Sequence, residues 1–380
     1  MVHLSDKFLD HKRLVADPEA DRMIEDLVRT NGIAESRRLF DMLIRETEMP
    51  VGKLPTPIRA YIEQNQHMPG WAEQKKIHMA QELFIDHGPK FLMFLYFKSL
   101  PLLYSMRNGV QVLIKTGRLA HSQQGQLIFT RRIAETGQFL LEVMSPGGFE
   151  KPYPAVSAAL KIRLIHASIR HFLIAGKWNV SIWGQPINQE DMAATLMTFS
   201  VTMTEALKQF KIPVTPEEED AYLHHWQIIG HLMGINHDLL PDHAREGKEL
   251  LSKILKRQSA FSEEGVTLTR ALTSFISNHV ESGFLRRSPH VLIRYLAGKT
   301  IAKRLGVKRD RYWWLYILLP AFLRWWFRMG ESLEEKFGFL ERFADQNSRK
   351  LVIDMVGYFD TYKQRNFCIP KPLRKAWRIE

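Results

Sequence analysis

Residues 163–171 read RLIHASIRH, a single histidine set between two arginines. The run around it, AVSAALKIRLIHASIRHFLIA over 155–175, contains no proline or glycine. Its apolar residues recur every three or four positions, which predicts a helix with Arg163, His166 and Arg170 on one face. An imidazole presented among small residues, here Ala158, Ala159, Ala167 and Ser168, leaves room for a flat ligand to lie close to the backbone. An axial ligand to haem iron has that requirement, and two flanking arginines can pair with the two propionates. A hydrogen-bonded core histidine satisfies the same spacing, so the residues alone leave both readings open.

Other chemistries are excluded by inspection. The chain has no G-x-G-x-x-G, no Walker loop, no G-x-S-x-G elbow and no H-E-x-x-H. No histidine has a glutamate three residues before it, so the Glu-x-x-His pair of di-iron helical bundles is missing. The single cysteine, Cys368, rules out an internal disulfide and multi-cysteine metal sites, and fits a reducing, cytoplasmic setting. His224 and His231, seven residues apart with His225 beside them, share a helix face and form a second candidate ligand cluster. Without a partner carboxylate motif, capping, packing or facing solvent is the expected role for these three, with reach into the pocket beside His166 the alternative for one of them.

The elements that must position these residues read as helices from end to end. Asp17-Pro18 opens a segment that closes near Asn31-Gly32, with the cap, the first-turn proline and the terminal glycine at their usual helix-end positions. Asn188 with Asp191 precedes MAATLMTFSVTMTEAL, and Thr215-Pro216-Glu217-Glu218 is a capping box before DAYLHHWQIIGHLMGI. Only VQVLIKTGRL (110–119) and QLIFTRRI (126–133) are ambiguous with strands. An all-α fold is therefore expected. No long linker, low-complexity tract or fixed-period repeat divides the 380 residues, so 1–380 reads as a single large helical domain.

The formal net charge of +12 favours an anionic partner or surface. The basic stretch 286–311 lacks a recognisable nucleic-acid module, so no nucleic-acid partner is expected. Residues 312–328, YWWLYILLPAFLRWWFR, are too short and too interrupted by Pro320 and Arg324 to span a bilayer. They suit either a buried, proline-kinked helix or an interfacial one giving peripheral membrane association. The N-terminus has no apolar core region after its basic residues, and a cleaved export leader is not expected.

RLIHASIRH resembles the haem-binding helix of the latex-clearing protein (rubber oxygenase) family, whose wider membership includes the MpaB-type oxygenases. Arg132-Ile133-Ala134-Glu135-Thr136 is similar to that family's distal Arg-x-x-Lys/Glu-Thr element, and PINQEDMAATLMTFS (186–200) to the segment after the histidine helix. The resemblance is strongest over 82–240. It implies haem b with His166 as proximal iron ligand, Arg163 and Arg170 supporting that histidine or the propionates, and Arg132, Glu135 and Thr136 bordering the oxygen pocket. Glu135 departs from the rubber oxygenases, which carry there a lysine able to take the sixth coordination position. A carboxylate does not reproduce that ligation; it implies either an ion pair with Arg132 one turn away or an acid-base role. The implied activity is an oxygenase that uses dioxygen to cleave a carbon-carbon double bond in a hydrophobic, isoprenoid-type substrate. A non-catalytic haem carrier or sensor, and a membrane-associated interaction protein without haem, are the alternatives.

Overall fold

A polar cap followed by a first-turn proline opens the helices that start at Pro18 and Pro216, as the sequence leads one to expect. The computed structural model describes residues 4–45, 51–116, 135–278 and 288–308, with Leu318, 321–324 and Leu373. In chain order its helices are α1 (Asp6–Arg13), α2 (Pro18–Arg45), α3 (Thr56–Asn65), α4 (Gln74–Phe94), α5 (Leu100–Tyr104) and α6 (Val110–Lys115). There follow α7 (135–144), α8 (Pro154–Ala175), α9 (Val180–Trp183), α10 (Gln189–Phe199), α11 (Val201–Gln209) and α12 (Pro216–Leu232). The last are α13 (Ala244–Gln258), α14 (Glu263–Asn278), α15 (Ser288–Leu296) and α16 (Lys299–Arg304). Among the described residues the sole β pairing is an isolated bridge between Met106 and Ser259. The all-α expectation holds.

The predicted caps are present. Asn188 accepts from the Asp191 amide at the start of α10, and Thr215 with Glu218 forms the reciprocal box that opens α12. Gly32, at φ +78°, breaks α2 where the sequence places a stop, although helix resumes directly after it. Of the two ambiguous stretches, Val110–Lys115 is helical, and 126–133 lies outside the described residues. Between α4 and α5 the helix widens to a π turn over Leu95–Ser99. Pro101 has no N–H to return to the Phe97 carbonyl, so α-type pairing cannot continue unbroken through this turn.

Two helix pairs form the frame, α4 against α12 and α2 against α8. Phe91 stacks between Phe84 and Tyr222, with ring centroids 5.6 and 5.1 Å away, and all three side chains are fully buried. Each such burial contributes roughly 1.5–3 kcal/mol. Helix α12 is buried almost all round, as befits a central helix. Charge joins the remaining elements. Arg13 of α1 reaches Glu190 and Asp191 of α10, both at 3.0 Å, and Arg257 of α13 donates to Glu190 at 3.1 Å. Burial pushes the Glu190 carboxyl up from its ordinary value, and the Arg13 charge opposes that rise.

Most of 312–328 lies outside the described residues, and so does Arg132. Among the described residues no helix is long and apolar enough to cross a membrane.

Candidate functional site

A cavity of about 340 Å³ lies between α5, α6, α7, α8 and α10, with Trp226 of α12 on its wall. Helix α8 presents to it the stripe Ala158, Lys161, Ile162, Ile165, His166 and Ile169. The spacing i, i+3, i+4, i+7, i+8, i+11 is one helical face. The rest of the wall is mostly aliphatic and aromatic, including Leu103, Val110, Leu113, Met192 and Phe199. His166 is therefore an imidazole on the wall of an apolar chamber.

The two arginines of the motif turn elsewhere. Arg163 donates from Nε to Asp17 at 2.6 Å and from Nη2 to Asp17 at 2.9 Å and Glu19 at 2.9 Å. Arg170 donates from Nε to Asp21 at 2.7 Å. Neither borders the cavity. Burial works to lower the Arg163 guanidinium, but the hydrogen bonds and charge of Asp17 outweigh it and leave its pKa raised. A shared face is thus too coarse a description. At about 100° per residue, each arginine is roughly 40–60° around the helix from His166, enough to send the three side chains to different neighbours. Both arginines make their ion pairs at the start of α2, while Arg170 Nη1 also reaches the Ile187 carbonyl at 3.5 Å. What they do is fasten α8 to α2 on both sides of His166.

The small residues are distributed differently from the expectation as well. Ala158 lines the cavity, whereas Ala159, Ala167 and Ser168 are buried in the packed core. On the cavity wall the α8 residues nearest in sequence to His166 are isoleucines, among them the partly buried Ile162 and Ile169.

Glu135 and Thr136, in the first turn of α7, do border the same cavity as His166. Sequence reasoning missed further polar groups there. On α7, Gln138 donates to Glu142 at 2.9 Å, and both line the wall. Lys161 interrupts an otherwise apolar stripe two turns of helix into α8, and that interruption was the available signal. Asp191 also lines the cavity, where it accepts from Arg13 at 3.0 Å and Asn188 at 2.8 Å. A Cβ at Gly109 would sit 3.3 Å from the Asp191 carboxylate, so the glycine lets α6 approach this wall. In sequence Asp191 looks only like a first-turn helix acid.

The α12 histidines have local partners. His224 accepts at Nε2 from the Glu73 amide at 3.0 Å, and His225 Nε2 meets the Val143 carbonyl at 2.8 Å. The edges of Trp71 meet both His224 and His231, with centroids 5.6 and 5.8 Å apart. Burial pulls His225 down to about 4, against its hydrogen bond to Val143, so the ring is neutral near pH 7 and donates to that carbonyl. Among the described residues no group of three histidine, cysteine or carboxylate side chains converges as a metal site. One cavity-facing imidazole in apolar surroundings fits a group that takes a single protein nitrogen, as haem does, and does not fit a bare ion.

A model of the catalytic domain of the ER-bound oxygenase mpaB/B′/rubber oxygenase family matches residues 91–328. The rubber oxygenase of Streptomyces sp. (strain K30) is 24% identical over 305 residues, which cover 78% of this chain and 72% of that protein. The structure of latex clearing protein LCP in the closed state superposes with a TM-score of 0.70 at 21% identity. That alignment covers 90% of this chain and 91% of the other, and shows a common fold.

Proposed function

The chain belongs to the family of mpaB/B′ and rubber oxygenase catalytic domains, and from that premise we propose that it is a haem b-dependent oxygenase cleaving a carbon-carbon double bond in a hydrophobic, isoprenoid-type substrate. The observation that carries this reading is His166 on the wall of an apolar cavity that Glu135 and Thr136 also border.

His166 is the residue that would hold the iron. Haem, when bound, supplies the redox chemistry that activates dioxygen. The protein's part is binding, orientation and proton handling. Aliphatic walls admit an apolar chain and exclude water from the reacting bond. The Thr136 hydroxyl donates a hydrogen bond to oxygen, and the Glu135 carboxylate accepts a proton or returns one. Arg132 joins this set by its motif position. One dioxygen and one C=C give two carbonyl groups, so the overall reaction balances without an external reductant. Arg163 and Arg170 support His166 through α2. The reading of 1–380 as one domain draws support from the Arg257 ion pairs with Asp6 and Asp10, which join the N-terminal helix to α13.

Reconstitution with haemin, followed by turnover of a terpenoid alkene under ¹⁸O₂, tests this. Soret absorbance and two labelled carbonyl products per cleaved bond are expected. Soret absorbance with no carbonyl product would make the protein a haem carrier or sensor, and no Soret band would remove the haem reading.

A further inference from the structure

We propose that Ile187 is the stop that seats a flat macrocycle against His166: it closes the chamber at the C-terminal end of α8 and limits how far the ring reaches in that direction. The inference rests on the haem reading above. Ile187 has φ +52°, a left-handed conformation that a β-branched residue rarely adopts. Of the four non-glycine residues with positive φ among the described residues, it alone is β-branched and it alone borders the cavity.

The strain is held from outside. The Gln185 amide donates to the Arg13 carbonyl at 2.8 Å, and the Gln189 amide to the Val15 carbonyl at 2.9 Å. Asn188 Nδ2 donates to the Gln185 carbonyl at 2.9 Å, and Trp178 Nε1 to the Gly184 carbonyl at 2.7 Å. A Cβ at Gly184 would stand 2.6 Å from the Arg13 carbonyl oxygen, so this strap lies flush against the end of α1. None of these bonds uses the Ile187 side chain, and glycine would satisfy the same backbone with less strain. The isoleucine is accounted for by its surroundings, the hydrophobic core that it packs against and the cavity that it borders.

Its place along α8 follows from Arg170. That side chain reaches the Ile187 carbonyl, and Arg170 directly follows Ile169, the last α8 residue on the cavity wall. Ile169 is three residues past His166, about 4.5 Å along the helix axis, which is comparable to the distance from the iron of a porphyrin to its rim. A ring centred at the level of His166 therefore brings its rim to Ile169 and Ile187. Because the strap cannot yield, bulk added to that rim meets overlap rather than a side chain free to move aside.

The test compares unsubstituted iron porphine with iron octaethylporphyrin, two symmetric rings that present the same rim whichever edge faces Ile187. Soret titration of the full chain gives the ratio of their dissociation constants. Ile187→Gly should shift that ratio about tenfold toward the octaethyl ring, by tightening that ligand alone, and Ile187→Phe should shift it the other way. A merely structural residue would move both affinities together. Ile187→Gly should also resist urea better than Ile187→Ala, the reverse of the usual order, because alanine keeps a Cβ in the left-handed conformation. An unshifted ratio in the folded Gly and Phe variants, or an alanine variant more stable than the glycine one, overturns the assignment. If the unsubstituted chain does not bind protohaemin, it is the haem reading itself that falls, and this inference falls with it.

Discussion

Arg163 and Asp17 meet through two hydrogen bonds, Nε to Oδ2 at 2.6 Å and Nη2 to Oδ1 at 2.9 Å, in a buried pair that ties the helix carrying His166 to the start of α2. Two turns further along α8 and one turn further along α2, Arg170 donates to Asp21. Two clamps spaced along both helices fix the register of α8, and with it the direction in which His166 faces. A buried pair of this kind specifies geometry more than it adds stability, because desolvation offsets most of the Coulomb gain.

Removing one partner exposes that cost. Asp17→Ala leaves the Arg163 guanidinium buried with only Glu19 beside it, and should destabilise the fold by about 3 kcal/mol in urea denaturation. The double variant Asp17→Leu/Arg163→Met should lose less than Asp17→Ala alone. Equal or greater loss in the double variant would mean that the ion pair itself stabilises the chain.

Gly234 abuts the same pair. Its φ is +81°, and a Cβ there would overlap Oδ2 of Asp17 and Nε of Arg163. Gly234→Ala should therefore cost about 2 kcal/mol or more, from left-handed backbone strain and displacement of the pair. In the Asp17→Leu/Arg163→Met background the cost should shrink toward the backbone contribution, as a thermodynamic cycle will measure.

Acid sensitivity should trace in part to His225. Its folded pKa is depressed to about 4 by burial, while the unfolded chain titrates near 6.5. Between those values the unfolded state holds a proton that the folded state does not. Stability is then complete above pH 6.5 and declines as pH falls toward 4, by about 3 kcal/mol for this group. Subtracting the pH profile of His225→Gln from that of the parent chain should isolate the slope. Parallel profiles would show that the ring is protonated in the fold or silent in this window.

Much of this arrangement was legible in sequence. Helix ends were, because caps act locally: Asn188, Thr215 and Gly32 each specify a boundary through their own side chain or backbone freedom. The placement of His166 and Glu135 on one chamber followed from a resemblance of motifs. The fate of Arg163 and Arg170 was not legible, since their partners Asp17, Glu19 and Asp21 lie some 150 positions away and no local pattern links them. Lys161 and Asp191 were hidden for a related reason. Spacing identifies a helix face, but which face meets a cavity is decided by tertiary packing.

Glu135 separates binding from chemistry. Glu135→Gln keeps the size of the side chain and removes its proton-accepting capacity, so haem affinity and the Soret maximum should stay unchanged. Turnover should fall by about 10²-fold or more, with loss of one limb of the pH-rate profile. Unaltered turnover and pH dependence would relegate Glu135 to a structural partner.

The most direct measurement is haem occupancy and the absorption spectrum of His166→Ala beside the unsubstituted chain, with His171→Ala and His224→Ala as controls. The parent chain should take up one non-covalent b-type haem, extractable in acid solvent, since no Cys-x-x-Cys-His exists to form thioether links. His166→Ala should be largely apo, and both controls should match the parent. Full occupancy with an unchanged spectrum in His166→Ala, together with loss in either control, would contradict the account and leave His166 a packed histidine on a cavity wall.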